Sequence, residues 1–296
     1  MKNDLFITGC SGFVGKNLIE VLKDDYNINC FQRNSEIKIK KEVVIHLAGK
    51  AHDMKNTSVA SEYYQVNTDL TIKVFDAFLA SNSKVFITLS SVKALSDNAD
   101  GVLLENQKPN PITHYGKSKL LAEQYIFSKE IPDGKRVYVL RPAMIHGPGN
   151  KGNLNLLYRL VKLGVPYPLA AFKNERSFLS IANLIFAVDK IINDKSFPTG
   201  VYHIADDETF STRDLVELIG EASGKVARTW FIPRRLIKGL AKVGDIMHLP
   251  LNSHRLQKLT ESYLVSNEKL KKALGVKHMP VSGKEGLSRT IKSFTR

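Results

Sequence analysis

Short, almost wholly apolar runs alternate with longer amphipathic ones through the first two thirds of this chain. Leu5-Phe6-Ile7-Thr8, Ile28-Asn29-Cys30-Phe31, Val43-Val44-Ile45-His46-Leu47-Ala48-Gly49, Val85-Phe86-Ile87-Thr88-Leu89, Val137-Tyr138-Val139-Leu140-Arg141-Pro142 and Val201-Tyr202-His203-Ile204-Ala205 each read as a strand. Between them, Lys16 to Leu22 reads as a helix. Ser61 to Leu79 has helical spacing, with Val66, Leu70, Val74, Phe75 and Phe78 as its apolar set. Tyr115 to Phe127 is helix-compatible and free of proline, and Leu154 to Leu163 is a further helix. Ser211 supplies a capping hydroxyl for another, Thr212 to Ala222. Strands alternating with helices predict an α/β fold, a doubly wound parallel sheet with a smaller, discontinuous α+β lobe.

The first strand runs into Gly9-Cys10-Ser11-Gly12-Phe13-Val14-Gly15, and a helix follows at once. Glycines in that place let the backbone turn sharply against a pyrophosphate, and the helix N-terminus offers amide donors to it. The spacing is G-x-x-G-x-x-G and departs from G-x-G-x-x-G. The stretch reads as the dinucleotide-binding loop of a Rossmann-like sheet. About 20 residues further on, at the end of the second strand, an acid would bind the ribose diol of NAD. Gln32-Arg33-Asn34 stands there instead, and the Arg33 guanidinium can pair with a 2′-phosphate. NADP(H) is therefore favoured, with NAD(H) as the alternative. Ser35 to Glu42 reads as an abbreviated connection. His46 reads as a satisfied core histidine, whereas the small residues after it let a cofactor lie close to the backbone. His52 follows that strand's carboxyl end, where ligands gather in such sheets, and is a candidate substrate contact.

Tyr115 and Lys119 are four apart and share one helix face. A phenol alone is a poor acid–base group near neutrality, with a pKa of about 10, and a neighbouring ammonium favours its ionised form. Ser91, at the end of the fourth strand, can hold a substrate oxygen beside the tyrosine. Together the three can move a proton to or from a hydroxyl or ketone. Asn67 lies inside the Ser61 to Leu79 run and reads either as a brace of the tyrosine's helix through backbone hydrogen bonds or as an exposed helix asparagine.

The sequence has 296 residues, 43% hydrophobic and 24% charged, which suffices for one large domain and a lobe. A net charge of +14 points to an anionic partner: nucleic acid, a membrane surface or a phosphorylated small molecule. No basic run is interleaved with aromatics as in a single-strand binder, so no nucleic acid is expected. Cys10 and Cys30 resemble neither a disulfide framework nor a metal site, which points to a reducing compartment and no metal. With no signal peptide and no apolar run near the roughly 18 residues of a span, a soluble cytoplasmic protein is expected. Arg228 to Leu251 is basic and apolar, with Arg234, Arg235, Lys238 and Lys242. An interfacial membrane helix is one reading. Pro233, Gly239 and Gly244 interrupt the run and favour a packed helix pair in the smaller lobe.

Gly9, Gly12 and Gly15, His46-Leu47-Ala48-Gly49, Asn67, Ser90-Ser91, Tyr115-Gly116-Lys117-Ser118-Lys119, Arg141-Pro142 and Gly147-Pro148-Gly149 appear in one order along the chain. In this the chain resembles the extended short-chain dehydrogenases/reductases, in the NAD-dependent epimerase/dehydratase group acting on nucleotide sugars. The resemblance implies a catalytic set of Ser91, Tyr115 and Lys119. It implies cofactor contacts at Gly9, Ser11, Gly12, Phe13, Val14, Gly15, Leu47, Ala48, Gly49, Asn67, Tyr115, Lys119 and Pro142. Substrate contacts fall on Ser91, Val92 and Asn153, with Arg176 and Arg255 on the diphosphate. Three departures stand out. His146 replaces the usual tyrosine before Gly-Pro, and Met144 replaces a frequent asparagine. Val92-Lys93 stands where 4,6-dehydratases carry Asp-Glu, so loss of water from C5 and C6 lacks its acid and base.

The implied division is 1–150 with 176–206 for the dinucleotide-binding domain and 151–175 with 207–296 for the nucleotide-sugar lobe. A homodimer is compatible with it. The implied activity is reduction of a UDP-4-keto-6-deoxy-N-acetylhexosamine in surface polysaccharide biosynthesis. The Asn-x-Arg-Ser segment and the short second crossover favour that branch. A UDP-hexose or UDP-N-acetylhexosamine 4-epimerase is the runner-up. A non-catalytic dinucleotide-binding regulator would be expected to have lost Ser91, Tyr115 or Lys119, and all three are present.

Overall fold

The computed structural model describes residues 4–33, 35–50, 59–150, 152–247 and 252–295. The chain opens with β1 (Asp4–Thr8), α1 (Phe13–Leu22), β2 (Asn27–Cys30), β3 (Val43–His46), α2 (Ala60–Tyr63), α3 (Leu70–Leu79) and β4 (Val85–Leu89). It continues through β5 (Val102–Leu103), α4 (His114–Ser128), β6 (Arg136–Pro142), β7 (Met144–His146), α5 (Asn153–Lys162), β8 (Arg176–Ser180), α6 (Ile181–Asn193) and β9 (Gly200–Ile204). Then follow β10 (Thr209–Phe210), α7 (Thr212–Ser223), α8 (Arg234–Met247), α9 (Ser253–Thr260), β11 (Leu264–Val265), α10 (Glu268–Leu274) and α11 (Gly283–Lys292).

Six parallel strands form the main sheet in the order β2-β1-β3-β4-β6-β9. The chain starts in the interior at β1, moves out to β2, then crosses back to β3. That reversal opens a crevice at the carboxyl ends of β1 and β3. Successive strand residues face opposite sides, and here both sides are buried. Leu5, Ile7, Val43, Ile45, Val85 and Ile87 join one core with Leu18 of α1 and Leu184 of α6. Phe6, Val44, Phe86, Val137 and Val139 join the other, with Val74, Phe75 and Phe78 of α3 and Ile126 of α4. This is why the strands read as nearly continuous apolar runs. The described residues between β2 and β3 form no helix, matching the abbreviated connection.

A third core lies beyond the sheet, built from Leu154 and Tyr158 of α5, Leu215 and Ile219 of α7, Ile237 of α8 and Leu287 of α11. Ser211 and Asp214 cap α7 reciprocally, so the serine acts as its sequence position predicts. Residues 264–274 depart from the expected division. β11 pairs with β5, and Val265 and Leu270 join the sheet's core.

Two further expectations are corrected. Among the described residues, 228–247 hold one helix and not a pair: α8 runs unbroken through Gly239 to Met247. Pro233 stands just before its first residue, where a missing N–H costs little, and an interior glycine costs only about 1 kcal/mol. The second correction concerns the cysteines. Parallel pairing sets Ile7 of β1 opposite Cys30 of β2, which brings Cys30 beside the glycine turn. There it is bonded to Cys10, with Cα atoms 6.0 Å apart. The expectation of a reducing compartment rested on unpaired thiols and loses that ground. Among the described residues no helix is long and apolar enough to cross a membrane.

Candidate active site

A cleft of about 500 Å³ lies over the crevice, and its lining joins the glycine turn to the Tyr115 helix. Gly9, Gly12, Phe13, Val14 and Gly15 line one end. Gly9 has φ of 77°, and a Cβ there would sit 2.6 Å from the Ala48 nitrogen and 2.7 Å from the Leu47 carbonyl carbon. Only glycine lets the turn pass this close to the end of β3. Gly12 begins α1 without a side-chain cap, so the first amides stay available to an anion. Ser11 is exposed at the tip of the turn. Leu47, Gly49 and Pro142 complete this end, with Ala48 between the first two. The set fits a dinucleotide: a close-passing backbone, uncapped amides and apolar walls. Arg33 lies exposed just past β2 and outside the lining.

Ser91, Tyr115 and Lys119 meet in the middle of the cleft. The Ser91 hydroxyl is hydrogen-bonded to the Tyr115 phenol and also accepts from the Lys93 amide, 3.1 Å away. Lys119 Nζ donates to the Leu89 carbonyl oxygen at 2.8 Å. A Cβ on Gly49 would stand 3.1 Å from that Nζ and 3.1 Å from Asn67 Oδ1, so the glycine leaves the ammonium open toward the cofactor end. Burial pushes the Tyr115 phenol up, and the Ser91 bond works against it. Burial pulls the Lys119 ammonium down to about 8, opposed by Glu123. The expectation that Lys119 draws the tyrosine down is thus reversed by desolvation, which acts on both groups toward their neutral forms.

Asn67 sits buried in a single wide turn, residues 64–69, between α2 and α3. Its amide donates to the Lys50 carbonyl and to Ser118 Oγ, each at 3.1 Å, and its oxygen accepts from the Lys50 amide at 2.8 Å. It therefore ties the end of β3 to α4. Asp97 fixes the other end of that helix. Its carboxylate accepts from the Ile112 and Thr113 amides and from Thr113 Oγ1, and Thr113 caps α4. Beneath the cleft, buried Glu123 accepts from Ser90 Oγ and pairs with buried Arg141. Glu123 lies one turn beyond Lys119 on the same face, a spacing that could have revealed it. Asp97 has no comparable sequence signal.

Val92, Lys93, Met144, Arg176, Glu261 and Tyr263 close the opposite end. Lys93 Nζ donates to the Asp97 carbonyl oxygen at 2.7 Å and sits 4.6 Å from the centre of the Tyr263 ring. Arg176 donates to the backbone carbonyls of Glu261 and Lys258. Burial lowers the pKa of both cations, as expected of charges turned inward. Arg255 is not brought here. It lies exposed on α9, whose inward residue is Leu256. Asn153 is the first residue of α5. His52 lies outside the described residues. His46 is the satisfied core group expected, bonded to Thr8 and Thr71 hydroxyls, with burial holding its pKa near 3.

The model of the NAD dependent epimerase/dehydratase family matches residues 5–205. The chain is 29% identical to a UDP-glucose 4-epimerase of Vibrio cholerae, covering 99% of this chain and 96% of the relative. The fold is similar to MoeE5 solved with UDP-glucose and NAD, with TM-score 0.77, 19% identity and 99% of each chain covered. It is also similar to RMD from Pseudomonas aeruginosa solved with NADPH, with TM-score 0.76, 23% identity, and 99% of this chain and 97% of that one covered.

Proposed function

This chain belongs to the NAD-dependent epimerase/dehydratase family and is a nucleotide-sugar enzyme of the short-chain dehydrogenase/reductase type, and from that premise we propose that it reduces a 4-keto sugar. The observation that carries the reading is the Ser91–Tyr115 hydrogen bond in a cleft shared with Lys119 and the glycine turn. A nicotinamide held there would supply hydride to C4. Ser91 would hold the carbonyl oxygen and Tyr115 would deliver its proton. A phenol kept neutral by burial is suited to donating. Lys119, aimed past Gly49, would hold the ribose. Arg176 would take the diphosphate.

The finer substrate we propose is a UDP-4-keto-6-deoxy-N-acetylhexosamine, with NADPH as reductant. Support comes from the end of β2, where Gln32 and Arg33 are exposed and no acid stands to repel a 2′-phosphate. A reductase must exchange its cofactor at each turnover. Val92-Lys93 argues against a dehydratase, because these two cleft residues supply no carboxyl pair to serve as its acid and base.

A second reading, a UDP-sugar 4-epimerase, is favoured by the likeness to the Vibrio cholerae enzyme along nearly the whole chain. The test is to incubate the protein with NADPH or NADH and a panel of UDP-4-keto sugars while following nicotinamide absorbance. Stoichiometric oxidation of NADPH supports the reductase. Protein that arrives with firmly held NAD and equilibrates two UDP-sugar epimers without net oxidation decides for the epimerase.

A further inference from the structure

Helix α8 has an apolar side turned away from the protein. Ile237, Ala241 and Gly244 face the lobe and are buried. Leu236, Leu240, Val243 and Met247 follow one another at spacings of four, three and four, so they stack along another side. They are 60%, 58%, 47% and 63% exposed, and neighbouring Ile246 is 78% exposed. Single exposed apolar side chains are ordinary, whereas a continuous row of them marks a contact surface. This row is about 16 Å long at the helical rise. A third side of the helix carries Arg235, Lys238 and Lys242, all exposed. The helix's one acid, Asp245, is engaged by the Ser253 amide and hydroxyl. Trp230 and Phe231, also exposed, lie just before the helix.

We infer that α8 docks on an anionic phospholipid surface, with the Leu236–Met247 stripe sunk to the headgroup boundary and the three cations against lipid phosphates. An apolar stripe beside a basic flank is the pattern that lies in such an interface. Charge selects this occupant over a second copy of the chain. An antiparallel two-fold contact through α8 would bring the same basic flank from both copies together. At +14 the chain repels itself and is attracted to an anionic bilayer. Docking would also set the cleft near the bilayer. α9 begins on Asp245 of α8, and the α9 carbonyl of Lys258 accepts from Arg176 in the cleft lining. The inference goes beyond the proposed reaction and does not rest on it.

The experiment is flotation of the full chain with vesicles of phosphatidylethanolamine and phosphatidylglycerol, and with vesicles of phosphatidylcholine alone. Wild type should float with the anionic vesicles, lose binding as salt rises, and stay behind with phosphatidylcholine. Leu240→Glu with Val243→Glu should weaken binding at least about tenfold, because the stripe can no longer enter the interface. Lys238→Glu with Lys242→Glu should do the same through charge alone. All four positions are exposed, and circular dichroism verifies each fold. Wild type that ignores anionic vesicles, or an acidic stripe variant that floats as well as wild type, overturns the inference. A dimer that the stripe variant splits, with no flotation by wild type, gives the face to a second copy instead.

Discussion

Replacing Lys119 by methionine tests the electrostatics of the cleft through stability. The side chain is 8% exposed, and burial draws its pKa from the ordinary 10.5 to about 8. A drop of that size corresponds to about 3 kcal/mol. The sign follows from counting protons. Below about pH 8 the folded and unfolded chains both carry the proton, and the folded chain bears the whole desolvation penalty. Between about pH 8 and 10.5 the unfolded chain binds more protons than the folded one, so stability rises with pH. Above that range both are neutral and the penalty is gone. Methionine has no such dependence. Urea unfolding of both proteins should therefore show wild type gaining about 2–3 kcal/mol on Lys119→Met between pH 7 and pH 10. The difference is the proper readout, because other tyrosines and lysines titrate alike in the two proteins. The lost bond to the Leu89 carbonyl, worth about 1 kcal/mol, shifts the absolute values without changing the slope. A difference that stays flat across that range would refute the reasoning, since the ammonium would then be solvated in the folded chain.

Tyr115→Phe should lower kcat by roughly a hundredfold or more while cofactor affinity is kept; unchanged turnover on an active substrate removes the assignment. Glu123→Gln should destabilise the fold by about 3–5 kcal/mol in urea, because it leaves the buried Arg141 guanidinium without its counter-charge. Adding Arg141→Met to Glu123→Leu should recover most of that loss, and failure to recover would point to packing. Arg176→Ala should weaken UDP binding about tenfold to a hundredfold by calorimetry, whereas equal affinity excludes it from the diphosphate site. Arg33→Ala should reduce a roughly tenfold preference for NADPH with little effect on NADH; equal affinities in wild type refute the role of Arg33 alone.

Local physics made much of this protein legible in its sequence. A run such as Val43-Val44-Ile45 declares a strand because both sheet faces are covered, and the strands β4 and β6 fall where their apolar runs lie. Gly9 announced the turn because its conformation and its closeness to β3 exclude a side chain. Tyr115 and Lys119 stood four apart in a proline-free, helix-compatible run, and α4 forms there. Asn67 could be read from its helical run either as a brace or as an exposed helix asparagine, and only its buried contacts in the fold decide for the brace. What the sequence could not carry were relations between distant segments. Cys10 met Cys30 only because β1 and β2 pair in one particular register. Arg176 and Arg255 are alike as residues. The strand geometry of β8 turns the first inward, while the register of α9 leaves the second in solvent. Tyr263 and Glu261 enter the cleft from segments far along the chain. Gly239 and Gly244 argued for a broken helix, yet tertiary contacts of Ile237 and Ala241 with the lobe hold α8 continuous against their small cost. Desolvation, finally, belongs to no residue by itself. Only the packed cleft decided that Tyr115 is pushed up and Lys119 down, because the penalty on a charge depends on everything that excludes water from it.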